Sequence, residues 1–257
     1  MIVTTGPTGS GKTTTLYAIL SKLNDGENKI ITLEDPIEYK LPGVAQSQID
    51  HSKGYSFADG LRSILRQDPN IVMVGELRDS ETVETAIQAA LTGHRVLSTI
   101  HTNDAAGAIP RFLSMGAKPY LLAQALSVVI GQRLIRKIHD KCKIEFSPDP
   151  KLIARAQEII NSLPDNSGYE KVDLSKIKFY RGQGCEECKH IGYKGRIGVY
   201  EVFAMNKEFE TAILSGAASA FDMAEIAKRA GMITMAQDGI LKVIDGMTTL
   251  EEVFRVV

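Results

Sequence analysis

A glycine-rich loop near the start of the chain places the strongest constraint on its fold. Residues 6–13 match the pattern G-x-x-x-x-G-K-[ST] in full and read Gly6-Pro7-Thr8-Gly9-Ser10-Gly11-Lys12-Thr13. Met1–Thr5 is apolar enough for a strand before this loop, and Lys12–Lys22 has the pattern of a helix after it, which is the context the motif requires. Glycines let backbone N–H groups turn toward phosphate oxygens, and a helix N-terminus favours negative charge. The loop therefore predicts binding of a nucleoside triphosphate.

Two side chains of the loop carry the charge and metal chemistry. The Lys12 ammonium is expected near the outer phosphates, and the Thr13 hydroxyl is a predicted magnesium ligand. The predicted nucleotide-binding set runs from Gly6 through Thr14. A chance glycine-rich turn is the alternative, and the order of strand, loop and helix argues against it. We expect the bound triphosphate to be hydrolysed.

Strand and helix patterns alternate through the first half of the chain. Such alternation predicts an α/β fold with a parallel sheet covered on both faces, and the glycine-rich loop makes it a P-loop fold. Pro119–Arg136 is predicted as a further apolar helix. The predicted strands are Met1–Thr5, Lys29–Leu33, Ile71–Val74 and Arg95–Ile100, and the predicted helices are Lys12–Lys22, Ser56–Arg66, Ser80–Leu91 and Ala105–Ser114.

The sequence changes character after about residue 136. Residues 182–198 contain five glycines and two cysteines, which is poor material for a regular core. Lys151–Leu163 is predicted to be helical, as is the region from Asn206 to the end, where Thr248-Thr-Leu-Glu251 fits a capping box. These changes predict three parts: an ATPase core at 1–132, a small zinc-binding subdomain at 133–200 and a C-terminal helical region at 201–257.

Composition excludes several classes of protein. The net charge is −1, so nothing global favours nucleic acid as a partner. No apolar run approaches the ~20 residues of a membrane-spanning helix. The N-terminus lacks the basic region of a signal peptide. A cytoplasmic location is the expectation.

Polar residues follow three predicted strands, and catalytic groups gather at the carboxyl ends of parallel strands. Glu34-Asp35-Pro-Ile-Glu38 follows the second strand, and Gly75-Glu76 follows the third. Glu76 stands where a Walker-B acid is expected and would polarise the attacking water. Gly75 occupies the place of a common magnesium-binding Asp, which leaves magnesium to Thr13, water and a carboxylate such as Glu76 or Glu38. A solvated strand-end acid remains the alternative for each.

Histidines and arginines near these strand ends are further candidates. His101 follows the fourth strand and is a candidate to sense or stabilise the γ-phosphate, and His94 precedes that strand. Lone histidines are more often structural. Arg62, Arg66 and Arg78 are candidates for phosphate contact, in their own subunit or in a neighbour's, with solvated helix-face arginines as the alternative.

The three cysteines and one histidine form a candidate zinc site. Cys185-x-x-Cys188 and His139-x-x-Cys142 share their spacing, and a three-cysteine, one-histidine set is an accepted structural zinc site. Ordinary reduced thiols and a Cys185/Cys188 redox pair are the alternatives. No thioredoxin-like pattern surrounds the pair, which disfavours the redox reading.

Taken together, the chain resembles the secretion ATPases that power type IV pilus extension and type II secretion. The resemblance covers Met1–Val257 and depends on four motifs in order. They are a Walker A at Gly6–Thr13, an Asp box at 34–38, a Walker B at 65–79 and a His box at 93–103.

The resemblance implies roles for several residues. It makes Glu76 the catalytic glutamate, gives Glu38, His94 and His101 supporting roles, and makes Gly75 the usual residue at its position. Extension and secretion motors carry a C-x2-C…C-x2-C zinc subdomain, and retraction motors lack it. Here His139 stands where the first of those cysteines is usual.

The resemblance also implies a P-loop RecA-like core in a cytoplasmic ring, a hexamer when complete, at an inner-membrane platform protein. Family members have an N-terminal domain that helps to hold the nucleotide. This chain begins at the phosphate-loop strand, so weak hydrolysis and weak hexamer formation are expected of it in isolation. A retraction motor and a nucleotide-binding switch with little hydrolysis are the alternative functions.

Overall fold

A computed structural model describes all residues from 1 to 257, and contacts between Cα atoms divide the chain into two compact units. The first unit comprises residues 1–7, 12–131 and 202–226. The second comprises residues 8–11, 132–201 and 227–257. The division into 1–132, 133–200 and 201–257 stays a prediction.

The chain alternates strands and helices in its first half and is mainly helical after residue 206. The strands are β1 (Ile2–Thr5), β2 (Ile30–Glu34), β3 (Ala45–Gln48), β4 (Ile71–Val74), β5 (Arg95–Ile100), β6 (Val128–Ile138), β7 (Lys143–Phe146), β8 (Phe179–Gly182) and β9 (Tyr193–Ala204). The helices are α1 (Lys12–Leu23), α2 (Phe57–Leu65), α3 (Ser80–Leu91), α4 (Ala108–Ser114), α5 (Pro119–Ala125), α6 (Pro150–Asn161), α7 (Lys207–Ser215), α8 (Ala220–Arg229), α9 (Met235–Ile244) and α10 (Leu250–Val256).

A mostly parallel sheet organises the first unit. Its strand order is β3-β2-β4-β5-β1-β6-β9, and neighbours from β3 through β6 pair in parallel. β4 is buried along its whole length, as expected of a strand covered on both faces. The predicted α/β class is therefore confirmed, and β1, β2, β4 and β5 direct their carboxyl ends to one edge.

Close helix–sheet packing fixes the strands of the first unit. Leu16, Tyr17 and Leu20 of α1 pack against Ile71 and other strand residues in one buried cluster. At Gly60 of α2, a Cβ atom would lie 2.7 Å from both methyl groups of Leu33. The helix therefore approaches β2 at a distance that a side chain at position 60 would prevent.

The predicted helix at Pro119–Arg136 is wrong beyond Ala125. The chain leaves α5 there and enters β6, where Val128 pairs with Ile2 of β1. A short apolar run fits a buried helix or a buried strand equally well. The β-branched residues at 128–130 favour the extended form, and pairing with the neighbouring strand decides the outcome.

The capping box predicted at Thr248-Thr-Leu-Glu251 is wrong, because the N-cap of the last helix lies one residue later and no reciprocal bond forms. Thr249 is the N-cap of α10 and accepts a hydrogen bond from Glu252 N–H, while the Thr248 hydroxyl donates to Arg136 O. Because the Glu252 carboxylate accepts from Arg136 and Arg255, it does not reach back to the cap. The tertiary contacts of the second unit set the helix start.

The second unit has its own core and a small antiparallel sheet of β7 and β8. Its buried cluster joins α6, α9 and α10 to the unit's parts of β6 and β9, with Ala156, Ile240 and Val253 at or near zero exposure. The helices predicted after Asn206 and near Lys151–Leu163 are confirmed, with shifts of one or two residues.

We expect Glu252→Gln to lower the free energy of unfolding by about 1–3 kcal/mol at neutral pH, because two arginines lose a buried charged acceptor. The Glu252 side chain has no exposed surface. Burial raises the pKa of its carboxyl, but hydrogen bonds from Arg255 and Arg136 outweigh this and lower the pKa from 4.5 to about 2.

A depressed carboxyl pKa stabilises the fold above its unfolded value. The difference between wild type and Glu252→Gln should therefore be full above pH 4.5 and vanish as the pH falls toward 2. Urea unfolding at several pH values measures it, with the exposed Glu251→Gln as the control. An equal loss in the free energy of unfolding for both variants would contradict the stabilising role assigned to the buried Glu252 carboxylate.

Candidate functional site

The loop between β1 and α1 has the backbone that its glycines predict. Gly6, Gly9 and Gly11 have φ angles of 144°, 80° and 87°, in the region that disfavours residues with a Cβ atom. At Gly11 a Cβ would also lie 3.2 Å from Gln132 Nε2. The loop therefore turns tightly before α1 begins at Lys12, as a phosphate-binding loop must.

Lys12 is buried and faces the loop's own backbone. Its Nζ donates to Gly6 O at 2.8 Å and to Pro7 O at 3.2 Å. Burial lowers the pKa of Lys12, and the negative charge of Glu76 partly opposes that change. Thr13 is half-buried and Thr14 exposed in the first turn of α1. The ammonium thus lies at the loop with Glu76 as its nearby anion.

Gln132 also contacts the phosphate loop, a role that its sequence context did not predict. Its Nε2 donates to Ser10 O at 2.7 Å and supports the tip of the loop within the second unit. Gln132 Oε1 and Ser10 Oγ are buried without a protein partner. The one signal in the sequence is a glutamine among the apolar residues that precede position 133, which is a weak indication of a role.

Glu76 lies two residues beyond β4, next to an arginine and a histidine. Arg78 Nε contacts its Oε2 at 2.6 Å, and His101 Nε2 lies 3.4 Å from the same oxygen. The Glu76 side chain is 12% exposed, whereas Arg78 and His101 are largely open to solvent. The structure thus brings together three of the residues predicted from the sequence.

Hydrogen bonds from hydroxyl groups link the strand ends next to Glu76 and His101. Thr5 Oγ1 lies 2.6 Å from Thr102 Oγ1 and accepts from Thr102 N–H at 2.9 Å, which joins the end of β1 to the residue after His101. Ser98 and Thr99 donate to Val74 O and Gly75 O. These bonds hold the segments around Glu76 and His101 at fixed positions.

Gly75 is packed against backbone. A Cβ at this position would lie 3.3 Å from Leu33 O and 3.4 Å from Glu34 Cα, atoms that have little freedom to move. Its own N–H donates to Leu33 O at 2.7 Å. The close approach of β2 gives a physical reason for glycine where many related loops have a metal-binding aspartate.

The acids after β2 have different environments. Glu34 is buried and accepts from Tyr17, Thr32 and Gln46, so its carboxylate is enclosed in a hydrogen-bond network. Burial and the Glu34 hydrogen bond raise the pKa of Tyr17. Asp35 pairs with His51 at the surface, and Glu38 is exposed. The Glu38 side chain forms no hydrogen bond or ion pair with Glu76 or Lys12.

Three other candidates, Arg62, Arg66 and His94, form no ion pair or hydrogen bond with Glu76. Arg62 pairs with Asp59 at 2.8 Å and Glu81 at 2.5 Å on the exposed surface of α2 and α3, and Arg66 is exposed at the end of α2. His94 precedes β5, and its Nδ1 lies 3.0 Å from Ala89 O. Since β5 separates His94 from His101, the two histidines are roughly 20 Å apart at opposite edges of the sheet.

The second unit brings His139, Cys142, Cys185 and Cys188 together, with their ligand atoms all within 4.8 Å of one another. His139 Nδ1 lies 3.6 Å from Cys142 Sγ and 3.2 Å from Cys185 Sγ, and Cys188 Sγ lies 3.9 Å from Cys142 Sγ and 3.7 Å from Cys185 Sγ. A tetrahedron with zinc–sulfur bonds of ~2.3 Å and a zinc–nitrogen bond of ~2.0 Å has edges of about 3.5–3.8 Å. The donor set fits zinc.

Backbone N–H groups point at Cys188. Cys185 N and Gly192 N donate to its sulfur at 3.2 Å and 3.3 Å. Burial raises the pKa of this thiol, but the donated hydrogen bonds outweigh burial and lower the pKa to about 6. Burial raises the pKa of Cys142. The donated hydrogen bonds therefore favour the thiolate form of Cys188, the form that binds a metal.

The glycines of this segment permit close backbone contact. A Cβ at Gly182 would lie 1.9 Å from Gly192 O, and one at Gly184 would lie 2.7 Å from His190 O. The chain can fold back on itself here only without side chains at these positions. The prediction that residues 182–198 lack a regular apolar core agrees with this packing.

A family model described as "Type II/IV secretion system protein" matches residues 1–255. The chain belongs to this family. It is 45% identical over 249 residues to the type IV pilus assembly ATPase PilB of Thermus thermophilus, covering 97% of this chain and 27% of that protein. It is also 45% identical to type II secretion system protein E of Dickeya dadantii, covering all of this chain and 48% of the relative. The chain thus spans half or less of the length of these relatives.

Solved structures agree with the family assignment. The pilus retraction motor PilT with bound ADP matches 99% of this chain and 60% of its own, at 29% identity and a TM-score of 0.67. The ATPase DotB of Legionella pneumophila has a TM-score of 0.67 at 24% identity, covering 99% of this chain and 58% of its own, and supports the fold alone. Among the helices, none combines the length and apolar character that crossing a membrane requires.

We expect Gly75→Ala to lower the free energy of unfolding by about 1–3 kcal/mol, because the new methyl group presses on the backbone of β2. Gly107→Ala is the comparison, since Gly107 has a φ of −68° and the closest atom to its new Cβ, at 3.1 Å, belongs to the Asp104 side chain and not to the backbone of a strand. Urea unfolding of both variants measures the effect. Equal free energies of unfolding for the two variants would contradict the prediction and show that the backbone of β2 moves to make room for the methyl group.

Proposed function

We propose that this chain is the nucleotide-hydrolysing part of a ring-forming ATPase that drives pilus or pseudopilus assembly or type II protein secretion. One observation carries the proposal. Lys12 and its phosphate loop share a sheet edge with Glu76, Arg78 and His101, and the charge of Glu76 acts on Lys12. The names of the relatives, an assembly ATPase and type II secretion proteins, supply the process.

Binding begins at the phosphate loop. The backbone of residues 6–14 surrounds the phosphates, and Lys12 Nζ exchanges its bonds to Gly6 O and Pro7 O for phosphate oxygens. The Thr13 hydroxyl would bind the magnesium ion, which would neutralise charge on the outer phosphates. Because Gly75 has no side chain, Glu76 and Glu38 are the carboxylates available to the hydrated ion.

Glu76 orients the attacking water. Arg78 and His101 both approach its Oε2, which leaves Oε1 to accept a hydrogen bond from water. Because Arg78 and His101 are partly open to solvent, they can also turn toward a γ-phosphate as charge develops on it. His101 would thereby connect the state of the phosphate to the end of β1 through Thr102 and Thr5.

Assembly into a homo-oligomer, a hexamer in the full-length protein, would give the remaining candidates a role. Arg62, Arg66 and His94 form no ion pair or hydrogen bond with Glu76 in their own chain, and we propose that they act toward a neighbour's nucleotide. The proposed partner is an inner-membrane platform protein, with the ATPase peripheral on the cytoplasmic side. The net charge of −1 gives no support to a nucleic-acid partner.

The cysteine and histidine cluster would hold structural zinc. Bound zinc would supply four metal–ligand bonds that cross-link the turn at 139–142 to the loop at 185–192. This cluster also favours assembly or secretion over retraction, as do relatives that are 42–46% identical against 29% for PilT. No observation favours a switch without hydrolysis.

We expect Glu76→Gln to bind MgATP like wild type and to lower turnover at least ~100-fold, because the amide is a poor acceptor for a water proton. Lys12→Ala should instead weaken nucleotide binding. Single-turnover hydrolysis and nucleotide titration of the 257-residue chain separate the two effects, with the exposed Glu27→Gln as control. Turnover indifferent to Glu76 would overturn its proposed role and leave the phosphate loop as a binding site.

We expect purified protein to contain close to one zinc per chain and His139→Asn to lose it. His190→Asn is a matched control, because it removes an imidazole from the same loop, and position 190 has a φ of 61°, which Asn tolerates. Elemental analysis of both variants makes the comparison. Wild type without zinc would argue for the retraction motor instead.

A further inference from the structure

His139 has two ring nitrogens, and they face different groups. Nδ1 points into the cluster, 3.2 Å from Cys185 Sγ and 3.6 Å from Cys142 Sγ. Nε2 points the other way and lies 3.7 Å from Glu187 Oε2. The imidazole is nearly enclosed, with 7% of the side chain exposed, whereas Glu187 is 46% exposed. One carboxylate therefore stands behind the ring, opposite the sulfur atoms.

Glu187 is itself held in place. Lys141 Nζ contacts its Oε1, and Lys194 Nζ lies 3.6 Å from its Oε2. Lys141 belongs to the turn that contains His139 and Cys142, while Lys194 belongs to β9. The carboxylate is thus anchored on two sides, and Glu187 lies between the ligands Cys185 and Cys188 in the chain.

A histidine ligand needs a partner that a cysteine ligand does not. Neutral imidazole carries one proton, and the nitrogen that binds a metal must be the one without it. A hydrogen-bond acceptor at the second nitrogen fixes that tautomer, holds the ring orientation and strengthens the ligand. Cysteine binds as a thiolate with one donor atom, so replacing cysteine by histidine creates a need for an acceptor behind the ring.

We propose that Glu187 is the positioning residue for His139, accepting the Nε2 proton so that Nδ1 faces the metal. The inference rests on the zinc site of the proposed function. The two atoms are 3.7 Å apart, so a hydrogen bond requires the Glu187 carboxylate to approach the ring by less than about 1 Å. Glu187 thereby supports the one histidine among the four candidate zinc ligands.

Zinc transfer to a chromogenic chelator tests the proposal in the 257-residue chain. Glu187→Gln should weaken zinc binding by about 10- to 100-fold, the range found when such supporting acceptors are removed. Glu186→Gln is the matched control, with the same loss of charge at the exposed neighbouring residue. The comparison separates a partner behind His139 from a general effect of acidic charge on the loop.

The same pair of variants in a His139→Cys background gives the decisive comparison. With four cysteines no ring remains to be oriented, so Glu187→Gln should change zinc affinity by less than about threefold, the size expected of an exposed charge. A loss equal to that of Glu186→Gln in the wild-type background would overturn the proposal. So would an undiminished loss in the His139→Cys background.

These outcomes differ from failure of the zinc site itself. If the wild-type chain holds zinc and Glu187→Gln holds it equally well, only the role of Glu187 is lost. If neither the wild type nor any variant holds zinc, the zinc site of the proposed function and the role of Glu187 fall together.

Discussion

The parallel register of β1, β4 and β5 is the constraint on which the candidate nucleotide site depends. Thr5 stands beside Ile100, and Val74 stands beside Ser98, so the segments that follow these strands emerge at neighbouring levels of one edge. The phosphate loop, Glu76 and His101 follow from that register rather than from proximity in the sequence. Hydroxyl groups of Thr5, Ser98 and Thr99 strengthen it at the strand ends, where ladder hydrogen bonds stop. A shift of one residue would turn these side chains to the other face of the sheet.

The two units hold their functional side chains by different means. In the first, buried strands and close contacts such as Gly60 against Leu33 fix the backbone, and the reactive groups project from its edge. In the segment around Cys185 and Cys188, backbone lies against backbone at Gly182 and Gly192, leaving little room for apolar side chains. Four metal-binding side chains, in place of an apolar core, would hold this segment together. Hydrogen bonds donated to the Cys188 sulfur favour the thiolate that binds a metal.

Local patterns predicted the regular elements well wherever one structure was clearly favoured. β4, β5 and α3 have the predicted bounds, because strongly apolar or strongly amphipathic segments leave few alternatives. Pro119–Arg136 was ambiguous, since its apolar residues suit a helix and a strand, and pairing with β1 decided for a strand after residue 127. β3 was missed because Ala45–Gln48 is polar and short, and only its pairing with β2 makes it a strand.

The sequence alone determined the chemistry available to this protein: a phosphate loop, an acid after a buried strand, and four metal-binding side chains with matching spacing. These features depend on residue type and on spacing over a few residues, so they can be recognised in the sequence without the fold. The tertiary structure decided which groups meet. It joined Glu76 to Arg78 and His101, placed His94 at the opposite edge of the sheet, and set Gln132 against Ser10 and Glu187 behind His139. Such contacts join residues up to 122 positions apart, and their geometry follows from strand register and packing, which no local pattern contains.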